Sequence, residues 1–303
     1  MPAPMISLRH EDVEFKTIDG LILRGWLYPA ASKGPAVIMT PGFNCVKEML
    51  LPEVAEAFQR ANITALIYDP RSIGLSDGFP RNEIDPMKQV EDYSDALTWL
   101  SKQAIVDPTK IAFWGMSFSG SVAACAAALD KRAKCLIMVC PFVKFYTNDK
   151  RRKVLAKAMA DRVSQAKGNA AFSVVPFTSN GDNPAGMAAG GGLEAYEFMT
   201  NVKERGAVNF ENRTTIQSYY RIAMWQPWGL LDYINPTPVH MIIPGQDIIS
   251  KTADQQEVFD AFQGPKTLSF APEKRHLDVL SGDGAEKLMA EQVNFMRRSF
   301  EGV

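Results

Sequence analysis

Short apolar runs alternate with segments of helical spacing along most of the 303-residue chain. The apolar runs have the length and composition of strands buried on both faces, and they read PAVIMT, ITALIYD, KIAFW, CLIMVC and PVHMII. Helical segments such as EMLLPEVAEAFQRA and PMKQVEDYSDALTWLSKQ separate several of them. This alternation predicts an α/β fold with a mostly parallel sheet that helices cover on both faces.

The two ends of the chain extend this pattern. The first forty residues read as an antiparallel meander, in which DVEFKTI, LILRGWLYP and PAVIMT are joined by two polar turns. We expect this antiparallel start to lie at an edge of the sheet. The C-terminal part closes with the helix TADQQEVFDAFQG, the strand KTLSFAP and the helix GAEKLMAEQVNFMRRSF.

The alternation stops after Phe142 and resumes at Thr237. A structureless connection of about ninety residues is uncommon in a compact domain. The sequence therefore predicts a helical lid at 143–235, inserted into a core formed by 1–142 and 236–303. The lid contains a basic amphipathic helix, from Lys150 to Lys167. The aromatic last part of the lid is predicted to line an apolar pocket, with ordinary core packing as the alternative. The residues concerned are Tyr219, Tyr220, Met224, Trp225 and Trp228.

The composition is that of an ordinary globular protein, with 46% hydrophobic residues, 22% charged residues and a formal charge of −1. This balance argues against nucleic acid or an anionic membrane as a partner. The N-terminus lacks a signal-peptide pattern and no apolar run is long enough to span a bilayer, so we expect an intracellular, cytoplasmic protein.

A serine at position 117 lies between an apolar run and a small-residue helix, in the stretch GMSFSG. Small residues two before and two after it, Gly115 and Ser119, fit a strand-to-helix turn too tight for larger side chains. Ser119 stands where a second glycine is usual. The helix that follows points its N-terminus at Ser117, so we predict that Ser117 is a nucleophile.

A serine nucleophile needs a base, and the chain has three histidines. His10 lies in the N-terminal tail and His240 in an apolar run, where a core histidine is the better interpretation. His276 follows the last predicted strand in a polar loop, which makes it the candidate base. Asp247, at the end of the preceding strand, is the candidate carboxylate, with a turn cap as the alternative and Asp149 in reserve.

The order Ser117, Asp247, His276 is that of α/β-hydrolases. Asp278 either supports His276 or caps a helix. Acyl transfer also needs donors for an oxyanion, and we expect the backbone N–H groups of Phe118 and Phe43 to supply them.

Further residues are predicted to lie near this site. Cys45, in the loop after Phe43, either lines the pocket or is an ordinary loop cysteine, and Met116 is assigned to the pocket. The other cysteines read as buried thiols. The stretch YDPRSIGLSDG resembles the D-x-R-G-x-G-x-S loop of many α/β-hydrolases, with Ser72 at the first glycine. Its Asp69 and Arg71 are interpreted as a structural ion pair that braces the loop, not as catalytic groups.

The sequence also resembles a known family, the fungal polyketide transferase and thiohydrolase group of α/β-hydrolases, related to dienelactone-hydrolase-like enzymes. The resemblance rests on DGLILRGWLYP, MTPGFNCVKEMLLPEVAEAF, LIYDPRSIGLSDGFPRNEIDPMKQVEDYSDALTWL, VDPTKIAFWGMSFSG, INPTPVHMIIPGQD and KRHLDVL. It implies a triad of Ser117, Asp247 and His276 and a role in secondary metabolism. Members release a polyketide acyl chain from a carrier thioester or pass it to an alcohol.

These observations predict a serine hydrolase that acts on an ester or thioester through an acyl-enzyme. The alternatives are an acyltransferase, a C–C hydrolase or cyclase that uses the same site, and a binding protein without turnover. No metal or organic cofactor is implied, because neither a ligand cluster nor a phosphate-binding glycine loop accompanies the triad. The expected partner is a small-molecule acyl substrate, free or held on a carrier protein, and a homodimer is compatible with the sequence.

Overall fold

The computed structural model of the protein describes residues 10–146, 148–187 and 192–302. An eight-stranded sheet forms its centre, with the strand order β1-β2-β4-β3-β5-β6-β9-β10. The strands of this sheet are β1 (Glu11–Lys16), β2 (Ile22–Tyr28), β3 (Gly34–Thr40), β4 (Thr64–Tyr68), β5 (Val106–Met116), β6 (Cys135–Val139), β9 (Val239–Pro244) and β10 (Lys266–Ala271). Two short strands, β7 (Ser173–Val174) and β8 (Thr214–Thr215), pair with each other outside it.

Strand directions confirm the predicted fold class. β1 and β2 are antiparallel to their neighbours and lie at one edge, and all other pairs in the sheet are parallel. The expected meander is wrong in one respect, because β3 does not pair with β2 but lies between β4 and β5. β3 is buried from Ala36 to Thr40, and a central position covers both of its faces whereas a meander next to the edge would not.

Helices cover both faces of this sheet. They are α1 (Leu51–Arg60), α2 (Pro86–Leu100), α3 (Phe118–Leu129), α8 (Thr252–Ala261) and α9 (Ala285–Glu301). α1 and α9 pack on one face, and α2, α3 and α8 on the other. Alternation along the strands divides the core accordingly, since Val37 and Met39 face the first group while Ile38 faces the second.

The segment between β6 and β9 is mostly helical. Its elements, besides β7 and β8, are α4 (Asn148–Gln165), α5 (Gly192–Asn201), α6 (Ile216–Met224), a 3₁₀ helix (Pro227–Leu230) and α7 (Leu231–Ile234). Apolar side chains of this segment, such as Val154 and Tyr219, belong to the same core cluster as α2 and α3. Within the described residues, no helix combines the length and apolar character needed to cross a membrane.

Candidate active site

The turn between β5 and α3 holds Ser117 in a strained backbone conformation, with φ of 57°. A Cβ at Gly115 would lie 2.2 Å from the backbone oxygen of Ser119, so only glycine fits there. The Ser119 hydroxyl donates to the carbonyl of Thr40 at 2.7 Å and accepts from the N–H of Met116 at 3.0 Å. Serine at this position therefore fastens the turn to the end of β3, a contact that glycine could not make.

The structure brings together the three residues predicted from their order in the sequence. Ser117 Oγ lies 2.8 Å from His276 Nε2, and His276 Nδ1 lies 2.8 Å from Asp247 Oδ2. His276 and Asp247 occupy the loops after β10 and β9, so all three residues follow the carboxyl ends of parallel strands. The remaining histidines lie elsewhere, His10 exposed at the N-terminal edge and His240 buried in β9.

Asp247 is fixed by donors on both of its oxygens. Oδ1 accepts from the N–H groups of Ile249 at 2.9 Å and Ser250 at 2.8 Å, so it also caps a turn. Oδ2 accepts from Nε2 of Gln255 on α8 at 2.8 Å as well as facing His276. Gln255 is completely buried and was missed by sequence reasoning, because nothing in an isolated helix pattern shows which loop its polar face meets.

Asp278, one of the two other acidic candidates, contacts the residue before the histidine and not the histidine ring. Asp278 accepts from the N–H of Arg275 at 2.7 Å and pairs with its guanidinium, so it organises the turn that carries His276. The side chain of Asp149 lies outside the described residues.

The loop after β3 runs directly alongside the serine. A Cβ at Gly42 would lie 3.3 Å from Cβ and 3.8 Å from Oγ of Ser117. The next residue, Phe43, packs its ring 5.7 Å from that of Phe118. The N–H of Phe118 is the first of α3 and has no partner within the helix. Both backbone groups proposed as oxyanion donors therefore belong to segments that adjoin Ser117.

Buried charges brace the loop after β4, although the expected ion pair between Asp69 and Arg71 is wrong. Asp69 instead accepts from Lys47 at two atoms, Nζ at 2.9 Å and the backbone N–H at 2.7 Å, which ties it to the loop after β3. Arg71 pairs with Asp92 on α2 and with Asp19 in the first hairpin. The two residues diverge because Asp69 directly follows β4, which pairs with β3, whereas Arg71 lies two residues further along a turning loop.

An apolar cavity opens above the serine, with about 780 Å³ of empty space including its solvent-open mouth. Ser117, His276 and Asn183 are the polar side chains among its lining residues. The apolar lining comes from the loops after β3, β9 and β10 and from the segment between β6 and β9, and it includes Met49, Phe142, Phe177, Met187, Phe198, Met199, Ile249 and Leu277.

Two of the predicted pocket residues line this cavity, namely Cys45 and Met116. Burial raises the pKa of the Cys45 thiol to about 12, so it contributes to the wall as a neutral group. Tyr219 and Trp225 are buried but do not belong to the lining. The Tyr219 ring packs 6.1 Å from that of Phe43, and Trp225 packs 5.4 Å from Phe118.

The other three predicted pocket residues lie away from the lining. Met224 is 60% exposed, Tyr220 lies beside the Arg162 guanidinium, and the Trp228 indole donates to the carbonyl of Val143 at 3.0 Å. Their place on the wall is taken by residues of two other stretches of the insertion, Phe177 and 195–199. Apolar residues in AFSVVPF and LEAYEFM were the available signal, but they formed no continuous aromatic stripe.

Cys140 lies close enough to the histidine to suggest a metal site. One atom each of Cys140, Asp247 and His276 falls within 4.8 Å of the others. Both nitrogens of His276 already face Ser117 and Asp247, and burial raises the pKa of the Cys140 thiol, which disfavours the thiolate a metal would need. The donor set therefore suits hydrogen bonding to the histidine better than metal ligation.

A mostly parallel sheet with a serine on the turn after β5, facing a histidine from the last loop, defines an α/β-hydrolase. Residues 36–242 match the family model described as X-Pro dipeptidyl-peptidase (S15 family). The chain is 54% identical to a thiohydrolase of Eupenicillium brefeldianum, over 98% of this chain and 96% of that relative. It is 44% identical to the polyketide transferase ATR5 of Stachybotrys chlorohalonatus, over 97% and 99%.

Solved structures agree with these sequence matches. The crystal structure of the α/β-hydrolase GrgF from Penicillium sp. sh18 is 40% identical, with a TM-score of 0.88 and coverage of 97% of this chain and 100% of that one. The chain belongs to the S15 family of α/β-hydrolases and to the hydrolase and acyltransferase group of fungal polyketide-tailoring enzymes. This confirms the resemblance read from its motifs.

Proposed function

We propose that the protein cleaves an ester or thioester of an apolar acyl chain, with Ser117 as nucleophile, His276 as base and Asp247 as the residue that orients the base. The observation that carries the proposal is the pair of 2.8 Å contacts, from Ser117 to His276 and from His276 to Asp247, at the base of an apolar cavity. These are the distances at which proton transfer and tautomer control operate.

In the proposed acylation step, His276 Nε2 takes the proton of Ser117 Oγ while the oxygen attacks the acyl carbonyl. The carbonyl oxygen becomes an oxyanion, which the N–H groups of Phe43 and Phe118 stabilise. The tetrahedral intermediate then collapses, the carbon–sulfur or carbon–oxygen bond breaks, and His276 returns its proton to the departing thiol or alcohol. The product is an acyl-enzyme on Ser117.

The acyl-enzyme is resolved by water, which releases an acid, or by an alcohol, which forms a new ester. Hydrolysis is in line with the thiohydrolase name of one relative, and transfer with the polyketide transferase name of another. The apolar lining favours a long or bulky acyl chain, and it reduces competition from water when an alcohol is bound. A polyketide-type chain delivered as a carrier thioester is the substrate we propose.

Time-resolved intact mass would test this reaction, with the protein mixed with S-octanoyl-N-acetylcysteamine before and after addition of a simple alcohol. We expect an octanoyl adduct that maps to Ser117. Clearance of the adduct in water alone would identify a thioesterase, whereas an adduct that persists until alcohol is added would identify an acyltransferase.

The matched control for this experiment is Ser117→Ala, which removes only the attacking oxygen. We expect no adduct and a loss of turnover by several orders of magnitude, with an unchanged circular dichroism spectrum. Retained turnover in this variant would refute the nucleophile. With a thioester whose chain carries ketone and hydroxyl groups, a product with a shortened or cyclised carbon skeleton would instead favour the C–C hydrolase or cyclase that uses the same site.

A further inference from the structure

The outer face of α4 is strongly basic, although the protein as a whole is not. Residues 148–167 contain seven basic and two acidic residues, a net charge of +5, so the rest of the chain carries −6. Six of these basic side chains are exposed, and they are Arg151, Arg152, Lys153, Lys157, Arg162 and Lys167. We call these six residues, together with the exposed Met159 and Val163 between them, the α4 basic face.

Described carboxylates do not neutralise this face. The ion pair recorded for the helix belongs to Lys150, which is not one of the six and pairs with Asp182. Asp161, the acidic residue within the exposed stretch, is buried and accepts from Gln217 on α6 at 2.7 Å and from the N–H of Phe172 at 2.8 Å. The Asp161 carboxylate therefore lies on the buried side of α4 and does not pair with the exposed cations. The same contacts fix which side of α4 points outward.

The arrangement of the α4 basic face suits a second helix. Arg152, Ala156, Met159, Ala160 and Val163 are exposed and recur at helical spacing, so they form one stripe along the outer side. Small and sulfur-containing side chains occupy the middle of that stripe, and cations lie along its flanks and at its ends. An acidic helix with a small apolar ridge would bury the centre and pair its carboxylates with the flanking cations.

The helix also adjoins the wall of the active-site cavity. A Cβ on Gly186 would lie 2.4 Å from Cβ of Lys150, and Tyr146, just before α4, bridges to Met187. Met187 and Asn183 line the cavity. A protein bound to α4 is therefore held against the same part of the insertion that encloses the acyl chain.

We infer that the α4 basic face docks the acidic, helical surface of the carrier protein that delivers the acyl thioester; this inference rests on the proposed function. An anionic membrane fits less well, because a helix that lies in a lipid interface presents a broad apolar face with aromatic and leucine side chains. The exposed apolar centre here is limited to Met159, Val163 and alanines.

The inference predicts that turnover of a carrier-held substrate depends on these charges while turnover of a small thioester does not. The test variant is Arg152→Glu/Lys157→Glu, since neither side chain has a described partner inside the protein. The matched control is Lys102→Glu/Lys134→Glu, two exposed lysines that precede the amino ends of β5 and β6, whereas Ser117 follows the carboxyl end of β5. The substrates are octanoyl-loaded acyl carrier protein of a fungal polyketide synthase and S-octanoyl-N-acetylcysteamine.

For the carrier-held substrate we expect kcat/KM to fall about tenfold or more in the α4 variant and to stay within about twofold in the control. High salt should lower the kcat/KM of the unmodified protein on the carrier-held substrate towards that of the α4 variant, because exposed charges are screened. Both variants should turn over the small thioester like the unmodified protein, and this readout separates failure of docking from failure of the proposed reaction.

Three outcomes would overturn the inference. One is a kcat/KM of the α4 variant on the carrier-held substrate that equals that of the unmodified protein. Another is a loss of kcat/KM that is equally large in the α4 variant and in the control variant. The third is salt-sensitive binding to phosphatidylserine vesicles that the α4 variant loses while its carrier kinetics stay unchanged, because the face would then serve a lipid surface. Absence of an octanoyl adduct on Ser117 of the unmodified protein would instead contradict the proposed function.

Discussion

At the scale of single residues, the contacts of Asp247 predict what an amide would do in its place. In Asp247→Asn, the amide oxygen is directed to the Oδ1 position, because two backbone N–H groups donate there. The amide nitrogen then faces His276 Nδ1 and imposes the tautomer that cannot accept the serine proton. We expect kcat for S-octanoyl-N-acetylcysteamine to fall by about 10³- to 10⁴-fold.

Asp278→Asn provides the control for this prediction. Asp278 lies two residues after His276 and bonds to Arg275, not to the ring. Its substitution should change kcat by about threefold at most, since it alters only the turn. Equal losses in the two variants would mean that Asp247 acts through folding and not through the histidine.

The buried pair of Lys47 and Asp69 predicts a second residue-level effect. Both side chains are almost fully buried, so Lys47→Met leaves a carboxylate without its counter-charge in the interior. We expect the free energy of unfolding to fall by about 3–5 kcal/mol, measured by urea denaturation. The double variant Lys47→Met/Asp69→Asn removes the uncompensated charge and should be less destabilised than the sum of the single variants. Additive effects within about 0.5 kcal/mol would show that the two charges are not coupled.

The candidate site could be predicted at this scale wherever chemistry restricts the residue type. A nucleophile on a tight turn needs small neighbours, and a base must be a titratable side chain at a strand end, so Ser117 and His276 were accessible from the sequence. The support that Ser119 and Gln255 provide was not, because a hydroxyl or amide in a helix has no signature of its distant partner. The partners of Asp69 and Arg71 were misassigned for the same reason.

At the scale of elements, two glycines that flank the serine are required for different reasons. In Gly115→Ala the new Cβ would meet backbone that cannot move, 2.2 Å away, and we expect about 1–3 kcal/mol of lost stability or an insoluble protein. In Gly42→Ala the new Cβ would lie 3.3 Å from Cβ of Ser117, a contact that small shifts relieve. Stability should stay within about 1 kcal/mol, while crowding of the attacked carbonyl lowers kcat/KM by about tenfold or more.

Urea denaturation and steady-state kinetics on both glycine variants would separate these roles. A Gly42→Ala protein with full activity would show that the loop after β3 does not border the reacting carbonyl. A stable and active Gly115→Ala protein would show that the turn tolerates a wider backbone spacing than the structure gives it.

Sequence periodicity predicted the helices and strands better than it predicted which of them lie next to each other. Apolar runs gave the parallel strands, but the place of β3 between β4 and β5 depends on pairing across the sheet, which no local pattern encodes. In the insertion, the large aromatic residues Tyr219 and Trp225 were expected on the cavity wall. They are buried in the core instead, where nearly all of their apolar area is removed from water, and Phe177 and residues 195–199 contribute to the wall.

At the scale of the whole molecule, the candidate site depends on segments that are distant in the chain. Gly42, Ser117, Asp247 and His276 follow four different strands, and the parallel sheet alone brings them together. Its last two strands, β9 and β10, precede Asp247 and His276. Conditions that loosen this side of the sheet should therefore reduce activity together with stability.

His240 provides such a condition, because it links the stability of this side of the sheet to pH. It is 3% exposed in β9, bonds through Nδ1 to Thr267 on β10 at 2.7 Å and stacks on Phe295 of α9. Burial lowers the pKa of His240 to about 4, although nearby Glu291 acts in the opposite direction. The unfolded chain, with a histidine pKa of about 6.5, therefore binds this proton more readily than the folded protein.

Stability from the neutral His240 is thus complete above about pH 6.5 and is lost as the pH falls towards about 4. Between pH 7.5 and 5.0 the loss amounts to about 2 kcal/mol in the free energy of unfolding. Urea denaturation at both pH values should show this decrease in the unmodified protein, and His240→Gln should show a decrease about 2 kcal/mol smaller, because all other titrating groups are shared. The same pH dependence in both proteins would mean that the pKa of His240 is equal in the folded and unfolded states, and the folded protein would then hold an imidazolium against Phe295 at pH 5.0.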